Sequence, residues 1–176
     1  MPKKIMLLFK NRCFLYLTIA SFFRFMGGYS LGFLSATFFI HKYPGNESQY
    51  AYMGSVIVIG GGLPSSFVGG YLSDRLERKI PNIKGLIAGL GALLACPFIF
   101  ITYIYQPGFW WAVGSYYIAY FLAEMWYGPA HAQINNLFPS QFQGIAVAIF
   151  NLAGAISGTI ATAIVSALYQ KYDADD

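Results

Sequence analysis

The sequence predicts an all-α membrane protein, a bundle of five transmembrane helices joined by short loops. Three observations carry this expectation. Of 176 residues, 57% are hydrophobic, 19% aromatic and only 10% charged, whereas a soluble domain carries about 25% charged residues. Apolar runs recur that reach the roughly 20 residues needed to cross a bilayer. Short stretches rich in turn residues and charge separate those runs. A run of this kind has to be helical in lipid, because only a helix satisfies every backbone N–H and C=O within itself.

Taken in order, the first run is 13–40, long enough to tilt, and it follows a basic segment, 1–12, that holds Lys3, Lys4, Lys10 and Arg12. That basic start resembles a signal peptide. The run is too long for a signal core, contains Arg24 and lacks a small-residue cleavage site, so it reads as a span that is retained. The turn sequence YPGNES leads to the second run, 50–72, which ends in the charged stretch GGYLSDRLERK. After Pro81 comes the third run, 85–105; QPG separates it from the fourth, 109–130; NNLFPSQ separates that from the fifth, 143–168. An acidic tail, 169–176, closes the chain with Asp173, Asp175 and Asp176.

Charge sets the expected orientation. With a cytoplasmic N-terminus, the inner segments hold Lys3, Lys4, Lys10, Arg12, Arg75, Arg78, Lys79 and Lys84, and the outer ones only Lys42 and Lys171. Eight against two is the asymmetry of a positive-inside topology, and it places 73–84 on the cytoplasmic face. These basic clusters flank apolar runs and are not interleaved into a nucleic-acid surface, so no nucleic-acid partner is expected. The first outer loop carries the sequon Asn46-Glu47-Ser48, which makes Asn46 a candidate glycosylation site. Five crossings put the acidic tail outside.

Helices in lipid associate where small residues let them approach. Gly28 and Gly32 form such a stripe with Ala36 in the first run, and Gly154 and Gly158 with Thr162 and Ser166 in the fifth. Gly60, Gly61, Gly62 and Pro64 are expected to loosen the second helix, and Pro97 and Pro129 the third and fourth.

Arg24 and Glu124 are the only charges deep in the runs, and a charge there costs several kcal/mol unless paired or facing water. Arg24 lies about 16 Å into its helix and Glu124 about 22 Å into one running the other way. Two readings stay open together: a buried ion pair, or a cavity in which Arg24 meets an anionic group and Glu124 carries a proton or helps gate. Tyr29, Tyr120, Trp126 and Tyr127 are the aromatic candidates for the same cavity. His41 and His131 fall on opposite sides of the membrane, so no metal site is expected. Cys13 and Cys96 have no CxxC spacing and read as reduced thiols. No phosphate-cradling loop, Ser-His-Asp set or paired carboxylate is present, so neither an enzyme nor a cofactor is expected.

Gly70-Tyr71-Leu72-Ser73-Asp74-Arg75-Leu76-Glu77-Arg78-Lys79 resembles the loop signature of the major facilitator superfamily, G-x-x-x-D-R-x-G-R-R/K, with Glu77 where a glycine is usual. Pro139-Ser140-Gln141-Phe142-Gln143-Gly144 resembles the stretch between the fourth and fifth helices of a facilitator half. The chain is most similar to the second half of sugar-phosphate-type and spinster-like members. The resemblance implies five helices of a six-helix half bundle, with Gly70, Asp74, Arg75, Arg78 and Lys79 in a cytoplasmic gating loop. It also implies that the first and fourth helices line the substrate path, so that Arg24 and Glu124 face it. A half has six helices, so the resemblance further implies that the first half and the last helix lie elsewhere, in a longer chain or a second copy. The implied function is secondary transport of a small organic solute, with Arg24 hinting at an anion. The alternative is a non-transporting membrane subunit that keeps a facilitator-like half.

Overall fold

The computed structural model describes residues 8–80, 82–105 and 108–173, and side chains up to Lys171. Lys3, Lys4, Pro81, Gln106, Pro107, Asp175 and Asp176, which enter the sequence argument, lie outside the described residues. Among the described residues every regular element is a helix. They are α1 (Arg12–Lys42), α2 (Glu47–Glu77), α3 (Ile83–Tyr105), α4 (Phe109–Glu124), α5 (Tyr127–Leu137) and α6 (Ser140–Asp173).

Three of these, α2, α3 and α6, are long and apolar enough to cross a membrane. α1 has 31 residues, but Arg24 and its Gly, Ser and Tyr neighbours dilute its apolar content. The fourth apolar run is divided: α4 stops at Glu124 after 16 residues, and hydrogen bonding resumes with α5.

The helix ends follow from local chemistry. Asn11 starts α1, its Oδ1 accepting from the N–H of Cys13 at 3.0 Å and of Phe14 at 3.3 Å. This is the usual work of an N-cap side chain. Inside α1 the hydroxyls of Thr18 and Ser21 turn back to the carbonyls four residues earlier, at 2.9 and 2.7 Å. Polar side chains are thereby satisfied within an apolar helix. Between α1 and α2 the chain reverses at Gly45, whose φ of +91° is a conformation that glycine adopts without steric cost.

Glu47 then opens α2, its carboxylate accepting the Gly45 N–H at 2.9 Å. The N–H groups of Gly45 and of Glu47 itself hold this carboxyl below the usual carboxylate range. A lowered value means that the bond supports the turn at neutral pH and is lost as pH falls through that value. In an acid titration followed by NMR, the Gly45 amide is expected to hold its shift through the ordinary carboxylate range and move only below it. Glu47→Gln should show no such step.

The chain divides into two compact units, one of Met1–Phe38 with Ile134–Asp176, the other Phe39–Gln133. In the first, Phe14 packs edge-on against Phe138 with centroids 5.2 Å apart, and Phe25 against Phe150 at 5.9 Å. The rings of Phe25 and Tyr29 cover Gly154 and Gly158; a Cβ at either glycine would stand 2.7 or 2.6 Å from them. Residues 25 and 29 meet 154 and 158 at a constant offset, so α1 and α6 run parallel. Gln143 closes the turn before them, its amide donating to the carbonyls of Asn135 and Phe138 at 2.8 and 3.1 Å.

In the second unit α3 lies along α4, and α2 packs on α4 through a π-helical turn, Ile57–Gly62. One end is sealed by aromatic rings. Phe39 stacks on Tyr50 with centroids 4.4 Å apart, and Phe109 meets Phe39 and Tyr43 edge-on at 6.2 and 5.6 Å. Such pairs are worth about 0.5–1.5 kcal/mol each beyond the area they bury.

The α4–α5 interruption at Met125 and Trp126 has a chemical cause. Pro129 has no N–H to give the carbonyl four residues before it, and its ring crowds that position. The carbonyl concerned is that of Met125. It is directed at Gly69 of α2, where a Cβ would collide with it, and a Cβ on Gly128 would in turn collide with the Ser66 carbonyl. At Gly91 of α3, a Cβ would stand 2.5 Å from the Leu122 carbonyl. Three glycines thus let the backbones of α2 and α3 close on the interrupted helix.

Candidate functional site

The candidate residues fall in three places. In the first unit, Arg24 is half-buried in mid-α1. One guanidinium nitrogen lies 3.6 Å from where a Cβ of Gly28 would be, so the missing side chain gives the guanidinium room to lie along its own helix. Tyr29, one turn beyond Phe25, has its ring against Gly158 and remains 48% exposed. At Gly32 a Cβ would meet nothing within 4 Å. Arg24 thus lies beside Phe25 in sequence and one turn before Gly28, while the rings of Phe25 and Tyr29 are seated on Gly154 and Gly158.

In the second unit, Glu124 is half-buried at the last residue of α4, beside the interruption. The first turn of α5 leaves backbone N–H groups without intrahelical partners, and these favour a carboxylate that precedes it. Tyr120, one turn earlier, covers Gly61 and Gly62, where Cβ atoms would stand 3.3 and 3.5 Å from its ring. Beyond the interruption, Trp126 is 7% exposed and meets Tyr127 edge-on at 5.8 Å. Tyr127 continues to His131, with centroids 4.3 Å apart. His131 Nδ1 lies 3.0 Å from the Tyr127 carbonyl; a carbonyl only accepts, so Nδ1 bears hydrogen and Nε2 is left for other partners. Tyr120 and Glu124 thus precede the break and Trp126, Tyr127 and His131 follow its start, whereas Arg24 belongs to the other unit.

The third place is the stretch from Gly70 to Lys84. Gly70 is in ordinary contact with Gly128, a Cβ on it falling 3.9 Å from that residue's Cα. Asp74, Arg75, Arg78 and Lys79 are all exposed. Arg75 donates to the Tyr71 hydroxyl one turn back at 3.3 Å. The N–H groups of Lys79 and Ile80 both donate to the Leu76 carbonyl at 2.9 Å, which closes α2. Position 77 is the last helical residue of α2, so no glycine is required there. Among the described non-glycine residues the one left-handed conformation is at Asn82, φ 66°, a residue that tolerates it. Glu77 reaches forward instead: its Oε1 accepts from Lys84 Nζ at 2.9 Å. Lys84 is buried, 8% exposed, so this pair ties the end of α2 to the first turn of α3.

Sequence reasoning did not single out Gly69, Gly91, Gly128, or the partnership of Glu77 with Lys84. Gly69 had a signal available, since Pro129 lies four residues after Met125 and predicts a released carbonyl that a neighbouring helix must accommodate. Among the described residues no group of three or more His, Cys, Asp or Glu is placed to hold a metal. Cys13 and Cys96 lie on the surface and are not disulfide-linked.

One family model, that of the Major Facilitator Superfamily, matches residues 2–162. No curated protein and no solved structure matches the chain.

Proposed function

The chain belongs to the Major Facilitator Superfamily, a family of membrane transporters, and from that premise we propose that it is the second half of a secondary active transporter for a small organic anion. By resemblance it is of the spinster-like or sugar-phosphate type. It works by alternating access, as five helices of a six-helix half bundle whose other half is supplied by a longer chain or a second copy. The N-terminus of α1 and the stretch from Asp74 to Lys84 face the cytoplasm.

The observation that carries the anion is Arg24: a half-buried cation in mid-α1, with Gly28 clearing its guanidinium and Tyr29 on the next turn. An intramembrane arginine marks a substrate or ion path by default. The five-crossing arrangement is supported by the parallel run of α1 and α6, which requires an odd number of crossings between them. α2, α3 and the interrupted α4–α5 supply three. Gating is supported by exposed Asp74, Arg75, Arg78 and Lys79 at the end of α2, where charge-assisted bonds can break and reform. Glu124, beside the interruption, is the candidate proton carrier.

The test is uptake into proteoliposomes holding the full-length transporter, screened with organic acids, sugar phosphates and lysolipids. Arg24→Ala is expected to lower anion uptake about tenfold or more, the scale of losing one desolvated charge partner, and Arg24→Lys to keep part of it. Anion uptake that is indifferent to both substitutions would remove Arg24 from the binding role.

A further inference from the structure

α2 contains a problem of hydrogen bonding that its own sequence cannot solve. Where α-helical bonding resumes after the π-turn, residue 64 should donate its N–H to the carbonyl of residue 60. Residue 64 is proline and has none. An apolar helix cannot leave that carbonyl to water, and the cost of an orphan is of the order of 1–3 kcal/mol. The carbonyl of Gly60 is instead met from another helix: the Tyr117 hydroxyl of α4 donates to it at 3.0 Å. Two residues on, the carbonyl of Gly62 accepts from hydroxyls of α2 itself, Ser65 at 3.0 Å and Ser66 at 2.9 Å. Glycines make the approach feasible, because a Cβ on Gly61 would stand 3.3 Å from the Tyr120 ring.

We infer that Tyr117 is a positioning residue that replaces the backbone donor Pro64 lacks and thereby fixes the π-turn of α2. The consequence reaches further along the helix. A π-turn accommodates one residue more than an α-turn, so its loss rotates everything after it by about 100° about the helix axis. Gly69 would then leave the Met125 carbonyl and present a side chain in its place. Gly70 and the charged stretch from Asp74 onward would turn with it. The Tyr117 hydroxyl therefore sets the rotational phase of the second half of α2, from a helix that Pro129 also interrupts. This inference stands on the bonding of α2 and not on the identity of any transported solute.

The test is hydrogen–deuterium exchange on the full chain in lipid nanodiscs, in wild type, Tyr117→Phe, Pro64→Ala and the double variant. Tyr117→Phe is expected to speed exchange across residues 57–66 about three- to tenfold, the scale of one interhelical bond in lipid. Residues 86–96 of α3 should stay unchanged. Pro64→Ala restores an N–H aimed at Gly60, so the double variant is expected to exchange at the wild-type rate. Unchanged exchange in Tyr117→Phe would overturn the inference. So would a rise that the double variant shows equally, whether local or spread through every helix, because the missing donor would then not be its cause.

Discussion

Gly69→Ala and Gly128→Ala are each expected to lower stability by about 3 kcal/mol, the upper end of ordinary overpacking, and to abolish a well-folded population at moderate temperature. The reason is what the new methyl would meet. At Gly69 it is the carbonyl of Met125, and at Gly128 the carbonyl of Ser66 with the Gly70 nitrogen 3.0 Å away. Both obstacles are backbone. A flexible side chain could rotate aside, but a carbonyl moves only with its helix, and the helices here are already in contact. Gly91→Ala meets the Leu122 carbonyl at 2.5 Å and should follow the same pattern. The control is Gly85→Ala, in the same helix as Gly91, where a Cβ would meet nothing within 4 Å; it should be neutral or gain up to about 1 kcal/mol from helix propensity. Thermal melts read by tryptophan emission suit the comparison, because buried Trp126 sits at the interruption. Equal melts for Gly128→Ala and Gly85→Ala would show that the contact is not close.

The second large effect lies at the junction of α2 and α3. Glu77→Ala should cost about 2 kcal/mol, less than the 3–5 kcal/mol of a fully enclosed pair because the glutamate itself is half exposed. What is lost is the partner of Lys84, whose ammonium is then buried without a counter-charge. Lys84→Met should cost much less, since it leaves an exposed carboxylate that water can solvate and keeps the apolar stem. The asymmetry is the diagnostic result. Equal losses from both substitutions would mean that packing, and not the charge of Lys84, governs the junction. Glu77→Gly, which would restore the residue usual in the loop signature, is expected to behave like Glu77→Ala, because position 77 is helical.

How much of this was legible in the sequence depends on the interaction. The helices follow from composition, since lipid leaves an apolar run no other way to bond its backbone. The turn at Tyr43-Pro44-Gly45-Asn46 was readable because Gly45 has a conformation that few residues adopt. The division of the fourth run was half readable: Pro129 marks the disturbance, but the interruption falls four residues earlier, at the carbonyl that proline abandons. Glycine packing was the least legible. The chain has 19 glycines, and regular spacing draws attention to Gly28 and Gly32 as readily as to Gly154 and Gly158. The closest backbone approaches are made by Gly69, Gly91 and Gly128, which share no spacing, because the deciding factor is what stands opposite on another helix. The depths of Arg24 and Glu124 along their helices could be counted from sequence. Their membership of different compact units could not, since it depends on how α1 divides between α6 and the remaining helices.

The seating of Phe25 and Tyr29 on Gly154 and Gly158 has a mechanical corollary. A ring lodged in a notch resists gradual sliding, so α1 and α6 can shift along each other only in whole helical turns, about 6 Å for four residues. Neither neighbouring notch is open. Advancing one turn would set Tyr29 over Thr162, whose Cβ takes the space that Gly158 leaves for the ring. Retreating one turn would drive Phe25 into Phe150, already in contact with it. The two helices are therefore keyed to a single register.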